Sequence, residues 1–131
     1  MRTVTLSVLS AALLAGVGTG TKFYPGPGLQ WVHNHLGGVF YVIFWCIVAA
    51  AVLPRTSTIV IAVWVVSVTS ALEVLQLWHP SWLERIRATF PGAALLGTTF
   101  SWPDFPHYAL GGVVGSLWSG WIRRRGCGEE R

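Results

Sequence analysis

Residues 58–78 read TIVIAVWVVSVTSALEVLQLW, twenty-one positions with no basic residue and a single acid, Glu73. At 1.5 Å per residue such a run makes a helix about 31 Å long, the thickness of a bilayer's hydrocarbon core. Only Ser67, Thr69, Ser70, Glu73 and Gln76 interrupt it. Thr69, Glu73 and Gln76 follow i, i+4, i+7 spacing and share one helix face. The stretch therefore reads as a membrane span with a polar stripe in its later turns.

The flanking segments extend this reading. Upstream, residues 36–53 form a second apolar run, closed by Pro54 and Arg55. The link from 54 to 57 is so short that the two helices must be antiparallel neighbours. Before that run, Pro25, Gly26, Pro27 and Gly28 mark residues 21–34 as a loop, with Trp31, His33 and His35 following at the expected interface. Residues 4–20 are uncharged and apolar behind Arg2. They fit the template of a signal sequence, but three more apolar runs follow, so the segment reads more simply as a first span or an uncleaved anchor.

Downstream, His79 and Pro80 end the run. Residues 81–102 are too broken to cross a bilayer. Trp82, Leu83, Ile86 and Phe90 recur at helical spacing with Glu84, Arg85 and Arg87 between them, which predicts a short amphipathic helix in the interface and then an irregular return. Prolines at 103 and 106 suit the start of a last span, residues 105–122, which runs into Arg123, Arg124 and Arg125. The fold class that follows is an all-α membrane protein: a four-transmembrane-helix bundle in one domain, residues 1–131, with a short interfacial amphipathic helix between helices 3 and 4.

Composition agrees. The chain is 53% hydrophobic and 11% charged, against roughly 25% charged in soluble domains. Its eight Trp, six Phe and three Tyr suit the two headgroup levels of a bilayer. The net charge of +4 forms no basic stripe, so nucleic acid is not a predicted partner. Instead the basic residues lie at segment ends. With both termini cytoplasmic, Arg2, Arg55, Arg123, Arg124, Arg125 and Arg131 fall inside, against Lys22, Arg85 and Arg87 outside. The positive-inside rule favours that orientation. Cys46 and Cys127 are too few and too far apart for a disulfide framework; the first reads as core packing and the second as a free thiol.

On this topology the polar residues of the third and fourth helices meet at the outer side. Asp104, His107, Tyr108, Gly111 and Gly115 share a face of the fourth helix, and His33, His35, His79 and His107 all map to the same side. A carboxylate inside a span costs about 2.5–3.5 kcal/mol on insertion scales, so Glu73 should be protonated or paired. Arg87 is the preferred partner and Arg85 the reserve. Glu73, Gln76, Arg87, Asp104, His107 and Tyr108 then form either a ligand-binding cluster or a structural one that pins the loop to the bundle. Gly111, Gly112 and Gly115 form a close-packing face, for the third helix or for another copy of the protein. The histidines, Glu73 and Asp104 are ligand types for zinc or copper, but their spacing matches no known motif, so no metal and no cofactor is assigned. Ser101, near Asp104 and His107, is the one trio with the residue types for nucleophilic catalysis, and no familiar motif couples it.

The stretches LEVLQLWHPSWLERIRATFPGAALLG (72–97) and FSWPDFPHYALGGVVG (100–115) resemble an uncharacterised bacterial membrane family, domain of unknown function 2809. That family's pattern falls here on Glu73, Gln76, Arg87 to Thr89, Phe100, Trp102, Asp104, Tyr108 and Gly111. The order Glu-x-x-Gln, Arg, Asp and a Gly-rich helix is also similar, more loosely, to the VanZ-like family linked with teicoplanin resistance; His107 and Tyr108 stand where many of its members carry a second Asp and an Asn. The resemblance implies a multi-pass protein of the bacterial cytoplasmic (inner) membrane and hands over no activity. Three functions stay open: a cell-envelope membrane protein whose outer-leaflet pocket binds a small polar or lipid-linked ligand, an enzyme acting on a lipid-linked envelope precursor with Glu73 or Asp104 as base and His107 as acid, and a structural subunit joined through the glycine face to a copy of itself or a membrane partner.

Overall fold

A computed structural model describes residues 2–96 and 102–128, the side chains at 33, 34 and 94 excepted. Phe100, Ser101 and Arg131, used in the reading above, lie outside the described residues. Among the described residues the chain is helix and turn, without a strand. Its helices are α1 (Arg2–Gly20), α2 (Gly37–Val52), α3 (Thr58–Leu75), α4 (Ser81–Arg87), α5 (Phe90–Leu96) and α6 (Asp104–Cys127). Two segments, Arg2–Phe23 and Thr58–Leu75, are long and apolar enough to cross a membrane, and α2 is apolar but shorter.

The long helices pack around a central α2–α6 pair, with α1 and α3 each laid against both members. Helix α2 is hydrophobic all round, as a central helix must be; Val42, Cys46 and Ile47 are fully buried. The close approach to α6 depends on residues without a Cβ. A Cβ at Gly111 would stand 2.8 Å from the Val39 carbonyl oxygen, and one at Gly115 would stand 2.7 Å from Cys46 Cβ. At Gly112 it would meet Val66 Cγ2 of α3 at 2.6 Å. The glycine face packs on α2 and α3 of the same chain.

Three boundaries differ from the sequence reading. The loop ends at Gly28, which takes a left-handed conformation (φ 71°) open to glycine, and helix resumes at once. A turn Leu29–Trp31 and a π-helical turn Val32–Leu36 lead straight into α2, so residues 29–34 are helical rather than loop. Helix α3 stops at Leu75 instead of 78, ahead of Pro80, and Arg87 binds the carbonyls that follow its end: Nη2 donates to Leu75 O and Nη1 to Trp78 O, each at 2.9 Å. The return after α4 is a second short helix, not irregular chain. Thr89 caps it, its hydroxyl accepting from Gly92 N at 3.1 Å and its carbonyl from Ala93 N at 2.9 Å.

Helix α6 also runs past residue 122 to Cys127, and Arg123 turns back to close the other end of the bundle. Its guanidinium donates to the carbonyls of Ala50, Leu53 and Thr56, where α2 ends and the turn to α3 begins. These are the orphan acceptors that any helix C-terminus presents, and a cation is the favoured partner for them. Thr3 lies against Gly126, so the two chain ends share this end of the bundle.

Candidate functional site

The opposite end gathers the polar side chains, and they fall into three sets rather than one pocket. The first is interior. Glu73, only 1% exposed, accepts a hydrogen bond at Oε2 from the Tyr108 hydroxyl at 2.7 Å and a longer one from Gln76 Nε2 at 3.4 Å. Nε2 of Gln76 also donates to Leu96 O at 3.0 Å, and Tyr41 OH donates to Leu95 O at 3.0 Å. Gln76 and Tyr41 therefore close the carbonyl end of α5, the role Arg87 has for α3. Thr69, on the same face, turns back to Val65 O of its own helix at 2.7 Å and does not reach Glu73.

The second set holds Arg87, itself 4% exposed. Its carboxylate partner is Glu84, at 2.9 Å, and not Glu73 as the sequence suggested. The reason is geometric. Arg87 and Glu84 lie one turn apart on α4, within reach of each other and of the end of α3, whereas Glu73 is already bound by Tyr108 from α6. His79 donates to the same Glu84 oxygen at 2.9 Å. Those two donors, His79 foremost and then Arg87, hold the Glu84 carboxyl below the usual carboxylate range.

The third set is where α6 begins and where the π-helical turn leads into α2. Wide turns of this kind re-aim side chains and recur at functional positions. Here the turn brings His35 to Asp104, Nδ1 to Oδ1 at 2.7 Å, with the two side chains 19% and 13% exposed. A carboxylate accepts only, so Nδ1 carries the hydrogen, and in the neutral ring Nε2 keeps its lone pair. Nε2 has no partner among the described residues. Asp104 is the first residue of α6, where the free backbone N–H groups and the helix dipole favour a negative charge. The ring of His35 stacks on His107 at 5.0 Å and 16°.

His107 has less freedom. Its Nε2 accepts from Trp31 Nε1 at 3.1 Å, and its Nδ1 lies 2.7 Å from Pro103 O. An indole N–H only donates and a carbonyl only accepts, so the neutral Nδ1–H tautomer satisfies both and leaves neither nitrogen open. Between them the two imidazoles divide the work. His107 is a fixed stacking platform, and His35, oriented by Asp104, offers an open acceptor.

A family model described as a protein of unknown function, DUF2809, matches residues 28–112. The chain belongs to the DUF2809 family. No solved structure matches it. The matched stretch starts at the left-handed Gly28 and ends at Gly112, so it holds the π-helical turn, α2 to α5, the first turns of α6 and all three polar sets. Helix α1, Gly115 and Arg123 lie outside the DUF2809 match.

Of the residues singled out from sequence, Glu73, Gln76 and Tyr108 meet, Arg87 goes to Glu84 and the end of α3, and Asp104 goes to His35 with His107 stacked beside it. The catalytic trio cannot be laid out, since Ser101 is outside the described residues. Trp31, Tyr41 and Glu84 were passed over. Glu84 could have been found from its spacing to Arg87; the other two reach across the fold with no local signal.

Proposed function

We propose that this chain is a four-span integral membrane protein of the cell envelope, and that the His35–Asp104 pair at the end remote from its termini binds a small polar or lipid-linked ligand. The surface supports the spans. Val4, Val8, Leu13 and Val17 of α1, Ile59, Val63 and Val74 of α3, and Leu110, Val113, Leu117 and Trp121 of α6 are all exposed, while Ser7, Thr69, Glu73 and Ser119 are buried. Water would penalise so continuous an apolar belt, and lipid would not. The turns from Leu29 to Leu36 lengthen α2 enough to match its neighbours. Arg2, Arg55 and Arg123 to Arg125 belong to the end that carries the termini, which favours a cytoplasmic assignment for that end and an outer-leaflet assignment for the dyad.

The single observation that carries the ligand reading is the open Nε2 of His35, held by Asp104 and partly exposed. A lone pair in that position accepts a hydrogen bond from an O–H or N–H donor, and a hydroxylated headgroup such as the sugar of a glycolipid supplies one. Glu73 is a support for the fold and not the contact, since Tyr108 and Gln76 already close over it. Were the protein an enzyme on a lipid-linked precursor, His35 would be the base and Asp104 its orienting partner, with His107 unavailable as the acid.

The test is binding of a diacyl glycolipid to the full chain in phosphatidylcholine nanodiscs, read by native mass spectrometry. Loss of one hydrogen bond to an oriented acceptor predicts about tenfold weaker binding for His35→Phe and for Asp104→Leu. Unchanged glycolipid binding by both variants, with helicity retained, refutes the assignment.

A further inference from the structure

At the other end of the bundle, α1 and α6 leave an open groove of about 390 Å³ on the outer surface, lined by Leu6, Leu9, Ser10, Trp118 and Trp121. Its floor is tied by the Trp118 indole N–H, which donates to Ser10 Oγ at 3.2 Å. Its walls continue into cations. Arg2, Leu6 and Leu9 follow i, i+4, i+7 spacing on α1, and Trp118, Trp121 and Arg125 follow i, i+3, i+7 spacing on α6. The Arg125 guanidinium lies over the Trp121 ring, 5.5 Å from its centroid. Because Thr3 adjoins Gly126, both walls reach their arginines at the same level.

We infer that this groove is a site for one anionic phospholipid, its acyl chain against Leu6, Leu9 and Trp118 and its phosphate at Arg125. From Ser10 to Arg2 the α1 wall rises about 12 Å, close to the depth of one leaflet's hydrocarbon. An apolar trough with a cation at its membrane-surface end is complementary to both parts of such a lipid. The inference rests on the membrane-spanning part of the proposed function and is independent of the His35–Asp104 ligand.

The test uses the full chain in nanodiscs of phosphatidylcholine with one-tenth phosphatidylglycerol. Native mass spectrometry counts the lipids that stay bound, and dibrominated lipids quench tryptophan. Each arginine near an anionic headgroup contributes about fivefold. The expected result is retention of phosphatidylglycerol over phosphatidylcholine beyond its mole fraction, reduced about fivefold by Arg125→Gln. Arg55→Gln, on the α2–α3 turn, leaves the preference unchanged, and Trp118→Phe/Trp121→Phe removes the extra quenching by brominated phosphatidylglycerol. Equal retention of the two lipids overturns the site, as does an Arg55→Gln effect as large as that of Arg125→Gln, or a second copy of the chain captured in the groove. Failure of the chain to enter nanodiscs would instead sink the membrane reading itself.

Discussion

Adding one methyl group to α6 tests the central seam directly. At Gly111 the new Cβ would stand 2.8 Å from Val39 O and 2.9 Å from Val42 Cβ; at Gly115 it would stand 2.7 Å from Cys46 Cβ and 2.8 Å from Cys46 Sγ. Non-bonded carbons rest about 3.5 Å apart or more, so α6 must withdraw from α2 by roughly 0.6–0.8 Å, a gap that forfeits a quarter to a half of the dispersion energy along the seam. Overpacking of this kind costs about 1–3 kcal/mol, against a gain of up to about 1 kcal/mol from alanine's helix propensity. The net expectation is a loss of about 1–2 kcal/mol for Gly111→Ala and for Gly115→Ala. Gly16, also in a helix, has no atom within 4 Å of its Cβ position. There only the propensity acts, and Gly16→Ala should gain up to about 1 kcal/mol. Reversible unfolding in mixed micelles, followed by far-ultraviolet circular dichroism as the fraction of dodecyl sulfate rises, gives all three values on one scale. Wild-type stability or better in both α6 variants would mean that α2 and α6 do not approach as described.

Other outcomes follow from the polar sets. Tyr108→Phe removes the donor to a buried carboxyl and should cost about 1–3 kcal/mol, whereas Tyr108→Phe with Glu73→Leu should recover part of the loss, since replacing both partners by apolar groups leaves fewer orphans. Strict additivity in that cycle would deny the contact. Arg123→Gln, which frees three carbonyls, should lower unfolding stability by about 2 kcal/mol, while the exposed Arg124→Gln stays within about 0.5 kcal/mol. Glu84 titrates below the usual carboxylate range when folded, so its contribution is present at neutral pH and is lost as pH falls through that lowered value. Protection of the α4 amides relative to their intrinsic exchange rates should fall in acid, and Glu84→Gln should remove that fall; an acid response identical in the variant would place its cause elsewhere.

What the sequence revealed depended on whether the cause was local. The polar face with Glu73 and Gln76, the glycines that need a close neighbour and the all-helical character are properties of spacing along single helices, and each is visible at 3.6 residues per turn. The end of α3 was legible in principle too: Pro80 stops the helix, so the last carbonyls need a donor, and Arg87 follows within reach. Charge matching alone pairs Arg87 with Glu73, but the carbonyls of Leu75 and Trp78 and the carboxylate of Glu84 bind its guanidinium. Thr89 followed by Phe90-Pro91 is likewise a usable helix-start signal, and it was overlooked. The π-helical turn is different, because nothing in the periodicity of residues 29–36 encodes it. Nor does any spacing join His35 to Asp104, 69 positions away; only the fold brings the two ends together.

The accounting of helix ends also explains why the ligand reading moves from Glu73 to His35. Arg123 closes α2, Arg87 closes α3, and Tyr41 with Gln76 closes α5, while Tyr108 joins α6 to the carboxyl of α3. Each of these groups meets an acceptor at a helix end or in the bundle interior and so has a structural use, while Gln76 Oε1 and Arg87 Nε stay buried without a hydrogen bond among the described residues. Asp104 too has a structural use, at the free N–H groups of α6. His35 Nε2 does not: it caps no helix, and the bundle would close without it. Function and stability should therefore separate at these two positions. His35→Phe, which takes the donor from a partly exposed Asp104, should cost less stability than Tyr108→Phe and abolish most glycolipid binding, whereas Tyr108→Phe should lower stability more and spare binding in the molecules that remain folded. If instead both variants lose stability and binding in proportion, the dyad is one more strut of the bundle, and its open nitrogen carries no ligand.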